Sequence, residues 1–198
     1  MELATESNGK ERYVTRKVIN STYISLDGAV EQPHLWPTIE RPPDERGGQI
    51  QTDLLLACDA VLMGRRTYEG FAPVWQSRSG DPFSDRINTM PKYVVSTTLK
   101  DPDWANTTVI SSDVAERIRD IKAEPGQDIV QYGFGSVSTL LMEHGLLDEL
   151  RLWVHPLFVG AGSTEDLLFP KGPPTQFELV GSTILKSSMV ILTYRLAS

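Results

Sequence analysis

Short apolar segments separated by helical patterns make up most of this chain. Six segments rich in apolar and β-branched residues predict strands, at 17–26, 60–64, 93–95, 107–110, 128–132 and 150–159. Apolar residues at helical spacing occur from about 49, over 65–71 and 82–89, and from 114 and 137, with 73–78 as a loop. Because strands alternate with helices, the sequence predicts crossover connections and a largely parallel sheet.

Two further strands at the end of the sequence lack a helix between them. They span about 176–185 and 187–196 and meet at a turn near Lys186-Ser187, which predicts an antiparallel hairpin. The pattern therefore favours the α/β class, with a mostly parallel central sheet, a C-terminal antiparallel hairpin and a single domain over 17–198. Residues 1–16 are polar and are expected to form a flexible extension.

Local signals indicate where several elements begin and end. Asp113 precedes a helical pattern and Glu116 lies three residues later, which predicts a capping box. Residues 31–48 contain four prolines and two glycines, so regular structure is not expected there. An irregular loop of this length in a compact domain is more often functional than filler.

Composition narrows the classes of partner. The 198 residues include 19 Lys and Arg against 26 Asp and Glu, a net charge of −7, which disfavours a general nucleic-acid binder because such affinity needs surplus positive charge. One cysteine, Cys58, excludes an internal disulfide, and three widely spaced histidines provide no local metal motif. No apolar run reaches the ~18 residues of a membrane helix, and the polar first residues do not resemble a secretory signal. We therefore expect a cytoplasmic protein without a membrane segment or a metal.

A glycine-rich segment joins one predicted strand to the next helix. Gly133-Phe134-Gly135-Ser136 follows the strand at 128–132. Glycines at such a junction let a phosphate approach the backbone, and the start of the helix attracts its negative charge. The alternative is that these glycines only make a tight turn, since a lone Gly-x-Gly is a weak signal.

Two other polar segments follow predicted strands in the same way. Arg65, Arg66 and Thr67 come directly after Gly64 at a helix start, and could bind a phosphate or be solvated surface residues. Ser96-Thr97-Thr98 follows the strand at 93–95, and its hydroxyls suit either a phosphate or a capped turn. Ligands of open α/β sheets bind outside the carboxyl ends of the strands, so the three segments together favour one site.

Three further residues are candidates for a substrate side. Asp53 falls on the apolar side of its helical wheel, where a raised pKa would make it a proton donor, although a half-exposed acid of the first helical turn is the alternative. Asp27 could contact a ligand or form a plain Asp-Gly turn. Trp36 lies in the proline-rich loop and could cover a planar ligand.

Four segments carry a family resemblance: 19–28 (INSTYISLDG), 60–69 (AVLMGRRTYE), 90–96 (MPKYVVS) and 148–156 (DELRLWVHP). In this order they resemble the dihydrofolate-reductase-like superfamily, most closely the C-terminal reductase domain of the riboflavin biosynthesis deaminase-reductase. The resemblance covers about 17–196. It implies a dihydrofolate-reductase-like three-layer fold that stands alone, without the deaminase half.

The resemblance also implies NADPH as the cofactor and a homodimer as the assembly. It places the phosphate side of the cofactor against Gly64, Arg65, Arg66 and Thr67, the adenosine 2′-phosphate against Ser96 and Thr97, and the pyrophosphate against Gly133, Gly135, Ser136 and Val137. The chain departs from the family pattern in two places. Phe134 separates two glycines that are adjacent in the relatives, and Asp53 is spaced differently from Gly64 than the folate-binding acid is.

The residues and the resemblance together predict an NADPH-dependent reductase of a small heterocycle, pterin- or pyrimidine-like. Its substrate would lie between the Asp27 turn, the helix with Asp53, and Tyr132, with Trp36 as a further substrate contact. The catalytic candidates are Asp53 and Asp27, and Asp53 or a water would supply the proton. A nucleotide-binding module without catalysis is the alternative. A true riboflavin-pathway reductase would need further basic groups for a ribose phosphate, and few remain once the two arginines serve the cofactor.

Overall fold

The computed structural model of the chain describes residues 16–37, 44–160, 163–168 and 174–197. Within these residues, eight strands form one sheet, five α-helices accompany it, and two short 3-10 helices lie in loops. None of these helices is long and apolar enough to cross a bilayer. The strands are β1 Val18–Ser25, β2 Cys58–Gly64, β3 Lys92–Val95, β4 Thr107–Ile110, β5 Asp128–Tyr132, β6 Glu149–His155, β7 Phe177–Ile184 and β8 Val190–Leu196. The helices are α1 Glu45–Leu56, α2 Arg65–Trp75, α3 Pro82–Thr89, α4 Val114–Ala123 and α5 Ser136–Glu143, with 3-10 helices at Pro33–Leu35 and Thr164–Asp166.

The strands follow the order β4-β3-β2-β5-β1-β6-β8-β7 across the sheet. Every pairing from β4 to β6 is parallel, whereas β8 pairs with β6 and with β7 in the antiparallel sense. The predicted α/β class, the mostly parallel sheet and the C-terminal hairpin are therefore confirmed. Parallel strands end at one side of the sheet, which we call the carboxyl edge, formed by the residues that follow β1 to β6.

Apolar side chains on the two faces of the sheet form two main cores. The first core lies between the sheet and α1, α2 and α3, and the second between the sheet and α4 and α5. On β2, Val61 and Met63 belong to the first core, whereas Ala60 and Leu62 belong to the second. This alternation is the consequence of the strand's two-residue period. Helices on both faces give the three layers that the family resemblance implies.

Helix α1 begins four residues earlier than the helical pattern indicates, at Glu45 instead of about 49. The Asp44 side chain caps it by accepting a hydrogen bond from the Arg46 N–H at 3.1 Å. A Cβ added at Gly47 would lie 3.1 Å from Leu185 Cδ1, so this glycine lets the helix approach the β7–β8 turn closely. The glycine therefore serves packing within a helix and does not extend the loop. Residues 38–43 of the predicted loop lie outside the described residues.

Proline ends β6 but does not end α2. The predicted loop at 73–78 is wrong at its start, because α2 continues through Pro73 to Trp75. The Trp75 ring packs against Phe83 with ring centroids 4.6 Å apart, and this apolar contact stabilises the last turn despite the proline. Strand β6 ends at His155, earlier than the predicted 159, because Pro156 has no N–H with which to continue the ladder.

The predicted capping box at the start of α4 is wrong. Asp113 adopts a φ of +50°, and its side chain makes no capping hydrogen bond within the described part of the chain. The left-handed backbone conformation directs the carboxylate away from the first N–H groups of the helix. The Asp113 carbonyl instead accepts the Arg117 N–H at 2.9 Å as the first helical bond.

The folded domain includes Arg16. Its guanidinium is buried, forms an ion pair with Asp59, and donates to the Gln127 carbonyl at 2.6 Å. Residue 16 therefore belongs to the amino side of the sheet, not to the predicted extension. Residues 1–15 lie outside the described residues.

Candidate active site

The three polar segments singled out in the sequence meet at the carboxyl edge. Strand β2 lies between β3 and β5, so Gly64, Ser96 and Gly133, which end or follow these strands, are neighbours. In register, Gly64 lies beside Val95. The topology thus brings together residues that are up to 69 positions apart, as Gly64 and Gly133 are (133 − 64 = 69).

Gly133 and Gly135 meet different structural requirements. Gly133 has a φ of +77°, a left-handed conformation that favours glycine, and a Cβ there would overlap Thr67 Oγ1. Gly135 precedes α5, and nothing lies within 4 Å of the position where its Cβ would be. Gly133 therefore lets α2 pack closely on the loop, whereas Gly135 leaves open space in front of the first N–H groups of α5. We call this space the glycine cradle, and open space beside the start of a helix suits a phosphate group.

The starts of α2 and α5 lie side by side. A Cβ on Gly64, the residue before α2, would lie 3.4 Å from Val137 Cγ2 in the first turn of α5. The first-turn N–H groups of both helices, including those of Ser136 and Val137 in α5, have no partner within their own helix. Two helix starts placed together create a positive potential at the carboxyl edge, which favours an anion.

The two arginines at the start of α2 carry exposed guanidinium groups. Arg65 Nη1 binds both oxygens of the Glu69 carboxylate, at 2.7 and 3.0 Å. Arg66 Nη1 lies 3.8 Å from Glu31 Oε1, and its side chain is 67% exposed. Exposed ion pairs of this kind contribute little free energy. Either guanidinium can therefore exchange its carboxylate partner for a phosphate.

Ser96 shapes the turn that follows β3. Its Oγ accepts hydrogen bonds from the N–H groups of Thr98 at 3.1 Å and Leu99 at 2.8 Å. Ser96 is buried by this turn, whereas Thr97 is exposed at the carboxyl edge. Of this pair, Thr97 has the side chain that is open to a ligand.

Asp53 lies on the exposed face of α1, so the prediction of apolar surroundings is wrong. Its carboxylate accepts a hydrogen bond from Gln49 Nε2 at 2.7 Å, one turn earlier in the helix. Because α1 begins at Glu45, Asp53 also lies in the second half of the helix and not in its first turn. The argument for a proton donor at this position depended on burial, and the structure removes it.

Asp27 connects the loop after β1 to the loop after β6. Its carboxylate accepts hydrogen bonds from Ser25 Oγ at 2.5 Å and from the N–H groups of Val159 at 3.2 Å and Gly160 at 2.7 Å. The Ser25 hydroxyl and the two N–H groups lower the pKa of Asp27 to about 2. The carboxylate is thus ionised near neutral pH and cannot donate a proton. Its geometry supports a role in holding the loops together and offers no support for the predicted catalytic role.

Four ring side chains form a connected group near the carboxyl ends of β1 and β6, in which Trp153 is buried and Tyr23 is 36% exposed. The ring of Trp36 lies 5.4 Å from that of His155, His155 lies 4.8 Å from Tyr23, and Tyr23 lies 5.9 Å from Trp153, all between centroids. We call these four residues the aromatic group. Trp36 is held in place by a hydrogen bond from Nε1 to the Glu31 carbonyl at 3.0 Å. Only Trp36 was indicated as a ligand contact by the sequence.

Two polar side chains that the sequence analysis missed contact the aromatic group. Gln51 Oε1 accepts a hydrogen bond from Ser21 Oγ at 3.3 Å, and Ser21 Oγ accepts one from Trp153 Nε1 at 3.1 Å. Gln51 also hydrogen-bonds Tyr23, whose pKa is raised by burial. No motif marks these residues, because the pairing of β1 with β6 and the packing of α1 bring them together. The two-residue period of β1 shows that Ser21 and Tyr23 share a face, but not what that face meets.

Tyr132, predicted to contact a substrate, lies in the first core beside the carboxyl edge. Its ring centroid is 5.4 Å from that of Phe71, and burial raises the pKa of its phenol, which is therefore neutral. Its hydroxyl has no hydrogen-bond partner within the described residues. The side chain thus fills the space between the sheet and the helices on this face.

Comparison with known proteins identifies relatives of the whole domain. The family model of the RibD C-terminal domain matches residues 16–191. The uncharacterised protein YyaP of Bacillus subtilis (strain 168) is 27% identical over 187 residues, which cover 90% of this chain and 94% of YyaP.

Solved structures share the fold at low sequence identity. A protein from Shewanella sp. PV-4 assigned to riboflavin biosynthesis is 18% identical with a TM-score of 0.63, and the match covers 92% of this chain and 99% of the other. The diaminohydroxyphosphoribosylaminopyrimidine deaminase/5-amino-6-(5-phosphoribosylamino)uracil reductase of Thermotoga maritima is 16% identical with a TM-score of 0.65. That match covers 92% of this chain and 57% of the T. maritima protein. At these identities the likenesses establish the fold.

Proposed function

Because the chain belongs to the RibD C-terminal domain family, we propose that it is a reductase that transfers a hydride from NADPH to a small heterocyclic substrate. The observation that carries this proposal is the glycine cradle at Gly135, in front of α5 and beside the start of α2 with its two arginines. An open helix start with two cations near it suits a pyrophosphate and a phosphomonoester. The uracil reductase activity in the name of the T. maritima protein supports the same class of reaction.

The residues at the carboxyl edge would hold NADPH by its phosphates. NADPH supplies the hydride when it is bound, and the protein supplies binding and orientation. Thr67 lies against Gly133 and would fix the loop beneath the pyrophosphate. The groups proposed to bind the pyrophosphate are Gly64, Gly133, Gly135, Ser136 and Val137. Those proposed for the 2′-phosphate are Arg65, Arg66 and Thr97, because the Ser96 hydroxyl is buried in its own turn.

The aromatic group would hold the substrate. Trp36, His155 and Tyr23 follow one another in this group with centroid separations of 5.4 and 4.8 Å, and all three are at least partly exposed, whereas Trp153 is buried. Rings at these separations can stack on a planar heterocycle or contact its edge. Gln51 and Ser21 lie beside them and offer an amide and a hydroxyl for hydrogen bonds to ring nitrogen or oxygen atoms. This arrangement favours a pterin- or pyrimidine-like ring.

We assign the proton that completes the reduction to water. Asp53 is exposed, and the Asp27 carboxylate is ionised and engaged with two loops. Hydride transfer to a C=N bond leaves negative charge on nitrogen, and a water at the carboxyl edge can neutralise that charge.

Removing either α2 arginine should weaken NADPH binding. Arg65→Ala and Arg66→Ala are each expected to cost about 1.5–3 kcal/mol, or roughly 10- to 100-fold in dissociation constant, for a lost charge-assisted contact. NADH should be affected much less by the arginine that contacts the 2′-phosphate. Fluorescence titration with both cofactors measures the difference, and Arg195→Ala, an exposed arginine on β8, is the matched control. Equal losses for NADPH and NADH in both variants would contradict recognition of the 2′-phosphate.

A nucleotide-binding module without catalysis is the second candidate function. It is favoured by the positions of Asp27 and Asp53, since neither acid is placed to donate a proton. The two functions are separated by measuring NADPH oxidation with a panel of pterins and pyrimidines beside NADPH binding. Oxidation with at least one compound supports the reductase, whereas binding without oxidation across the panel supports the module.

We also propose that the protein forms a homodimer through the outer face of β6, β8 and β7. The register places Leu152 beside Leu192 and Leu179 beside Tyr194 on the face opposite α1. Ile184, on the same face, is 74% exposed. An apolar, largely uncharged sheet face of this kind suits a second copy of itself, because a two-fold interface brings the same residues together.

Light scattering tests this assembly. The wild type should have a mass near 2 × 22.0 = 44.0 kDa at micromolar concentration, and Ile184→Glu should give the monomer because it buries a charge in the interface. Arg195→Glu, which changes the opposite face, should stay dimeric. A monomeric wild type at this concentration would contradict the proposal.

A further inference from the structure

Three buried polar side chains lie next to the loop of residues 133–135 between β5 and α5, which we call the glycine loop. Asn20 comes from β1, Gln131 from β5 and Ser138 from α5, and they are 0%, 1% and 0% exposed. They face the side of the sheet that carries α4 and α5, away from the aromatic group. Burying three uncompensated polar groups would be costly, so their hydrogen bonds indicate what they do.

The amide groups of Asn20 and Gln131 both donate to the carbonyl of Gly133. Asn20 Nδ2 donates to Gln131 Oε1 at 2.6 Å and to Gly133 O at 2.9 Å. Gln131 Nε2 donates to Gly133 O at 2.8 Å and to Ser138 Oγ at 2.8 Å. Each amide therefore uses both of its N–H groups, and the Gly133 carbonyl accepts a hydrogen bond at each of its two lone pairs.

This network fixes the direction of one peptide group. Rotating the Gly133–Phe134 peptide would leave two buried N–H donors without an acceptor, which disfavours any other orientation. The peptide is trans, so its N–H points opposite to its carbonyl. The carbonyl faces the network, and the Phe134 N–H consequently faces away from it. Thr67 limits movement from another side, because its Oγ1 occupies the space where a Cβ on Gly133 would lie.

The N–H groups that follow Gly133 are left for a ligand. Within the described residues, neither Phe134 nor Gly135 donates a backbone hydrogen bond. Two donors on the Gly133 carbonyl also polarise its peptide, which makes the Phe134 N–H a stronger donor. An anion in the glycine cradle would therefore meet N–H groups whose orientation is fixed before it binds.

We propose that Asn20, Gln131 and Ser138 are positioning residues that hold the glycine loop in the conformation that binds the pyrophosphate of the cofactor. They act through the Gly133 carbonyl and do not contact the cofactor themselves. This inference rests on the proposed function only in the identity of the anion. The orientation of the loop is a property of the free protein and can be tested separately.

Cofactor affinity in three variants tests the proposal. Gln131→Met keeps the approximate size of the side chain but removes both donors, Gln131→Glu replaces them with a charge beside the carbonyl, and Ser138→Ala removes one partner of Gln131. Gln131→Met and Gln131→Glu should weaken NADPH and NADH equally, by about tenfold or more, because the two cofactors share the pyrophosphate. Ser138→Ala should have a smaller effect of the same kind.

Asn88→Leu is the matched control. The Asn88 amide also donates to two backbone carbonyls, those of Trp75 at 2.9 Å and Arg78 at 3.0 Å, but it lies on α3. Asn88→Leu should lower the thermal midpoint as the network variants do. It should leave the dissociation constants of NADPH and NADH within about twofold of the wild-type values. A network variant that melts like the control and binds NADPH like the wild type would overturn the proposal.

Backbone amide NMR of the free protein gives a readout that needs no cofactor. The Phe134 and Gly135 resonances should shift and their hydrogen exchange should accelerate in Gln131→Met, but not in Asn88→Leu. Unchanged resonances in Gln131→Met would overturn the proposal even if NADPH binds. A wild type that binds neither cofactor would instead overturn the proposed function, and the NMR result would still decide whether the network orients the loop.

Discussion

Replacing Gly135 with valine is expected to remove measurable NADPH binding from a protein that still folds. The new side chain would occupy the glycine cradle, where no atom outside the neighbouring residues now lies within 4 Å of the added Cβ, and should keep an anion away from the start of α5. Losing two charge-assisted hydrogen bonds at about 1.5–3 kcal/mol each corresponds to roughly 100-fold weaker binding or more. Fluorescence titration with NADPH measures the affinity, and circular dichroism with a thermal midpoint verifies folding.

Two companion variants separate the binding role of the loop from its structural role. Gly135→Ala adds one methyl group in the same place and should weaken NADPH binding less than valine does. Gly133→Ala should instead lower the thermal midpoint, because its φ is +77° and its Cβ would overlap Thr67 Oγ1. Wild-type affinity in a folded Gly135→Val protein would show that this turn is only structural.

Replacing Lys92 with methionine is expected to lower the free energy of unfolding by about 3 kcal/mol. Lys92 is fully buried, and its Nζ donates to the carbonyls of Asn88 at 3.2 Å, Met90 at 2.8 Å and Ala105 at 2.9 Å. The ammonium also lies 4.7 Å from the centroid of the Trp104 ring, a distance at which the cation–π interaction is favourable. Methionine has a similar length but leaves all three carbonyls without this donor.

Urea denaturation of Lys92→Met measures this loss. Lys17→Met is the matched control, because Lys17 is exposed at the start of the sheet and its substitution should change the free energy of unfolding by less than about 0.5 kcal/mol. A Lys92→Met protein as stable as the control would contradict a net stabilising role for the Lys92 contacts.

The stability of the wild type should also respond to pH through Lys92. Burial lowers the pKa of the Lys92 ammonium from 10.5 to about 8. Between these values the unfolded chain keeps the proton that the folded protein has released, so the contribution of this group to the free energy of unfolding rises with pH. The wild type should therefore gain stability relative to Lys92→Met from pH 8 to 10.5. Parallel pH profiles of the two proteins would contradict this.

Most strands and helices could be predicted because their signals are local. The apolar run of β2 and the apolar spacing of α5 are signals within one element, and both elements appear within about two residues of where the sequence places them. The errors arise where a distant contact or the local backbone conformation overrides the sequence rule. Pro73 stays inside α2 because Trp75 packs on Phe83, and Asp113 does not form its capping box because its backbone is left-handed.

The segments proposed for the cofactor were easier to locate in the sequence than those proposed for the substrate. Glycines and arginines that follow a strand are recognisable in a short segment, as Gly64 and Gly133 show. Asp53 was misplaced because a helical wheel depends on where the helix begins and on which face the sheet covers. Gln51, two positions earlier, contacts Ser21 on β1, and no local pattern separates the two positions.

By itself, the sequence determined the α/β class, the parallel sheet with its terminal hairpin, and the glycine and arginine segments that mark the carboxyl edge. These features follow from the periodicity of side chains and from backbone conformations that few residues other than glycine adopt. The tertiary structure alone decided which polar side chains are buried and what they bind. Asn20 and Gln131 lie 111 positions apart and become partners only because β1 and β5 are adjacent strands. The physical reason is that the free energy of a buried polar group depends on its hydrogen-bond partner, and that partner is set by the packing of distant segments.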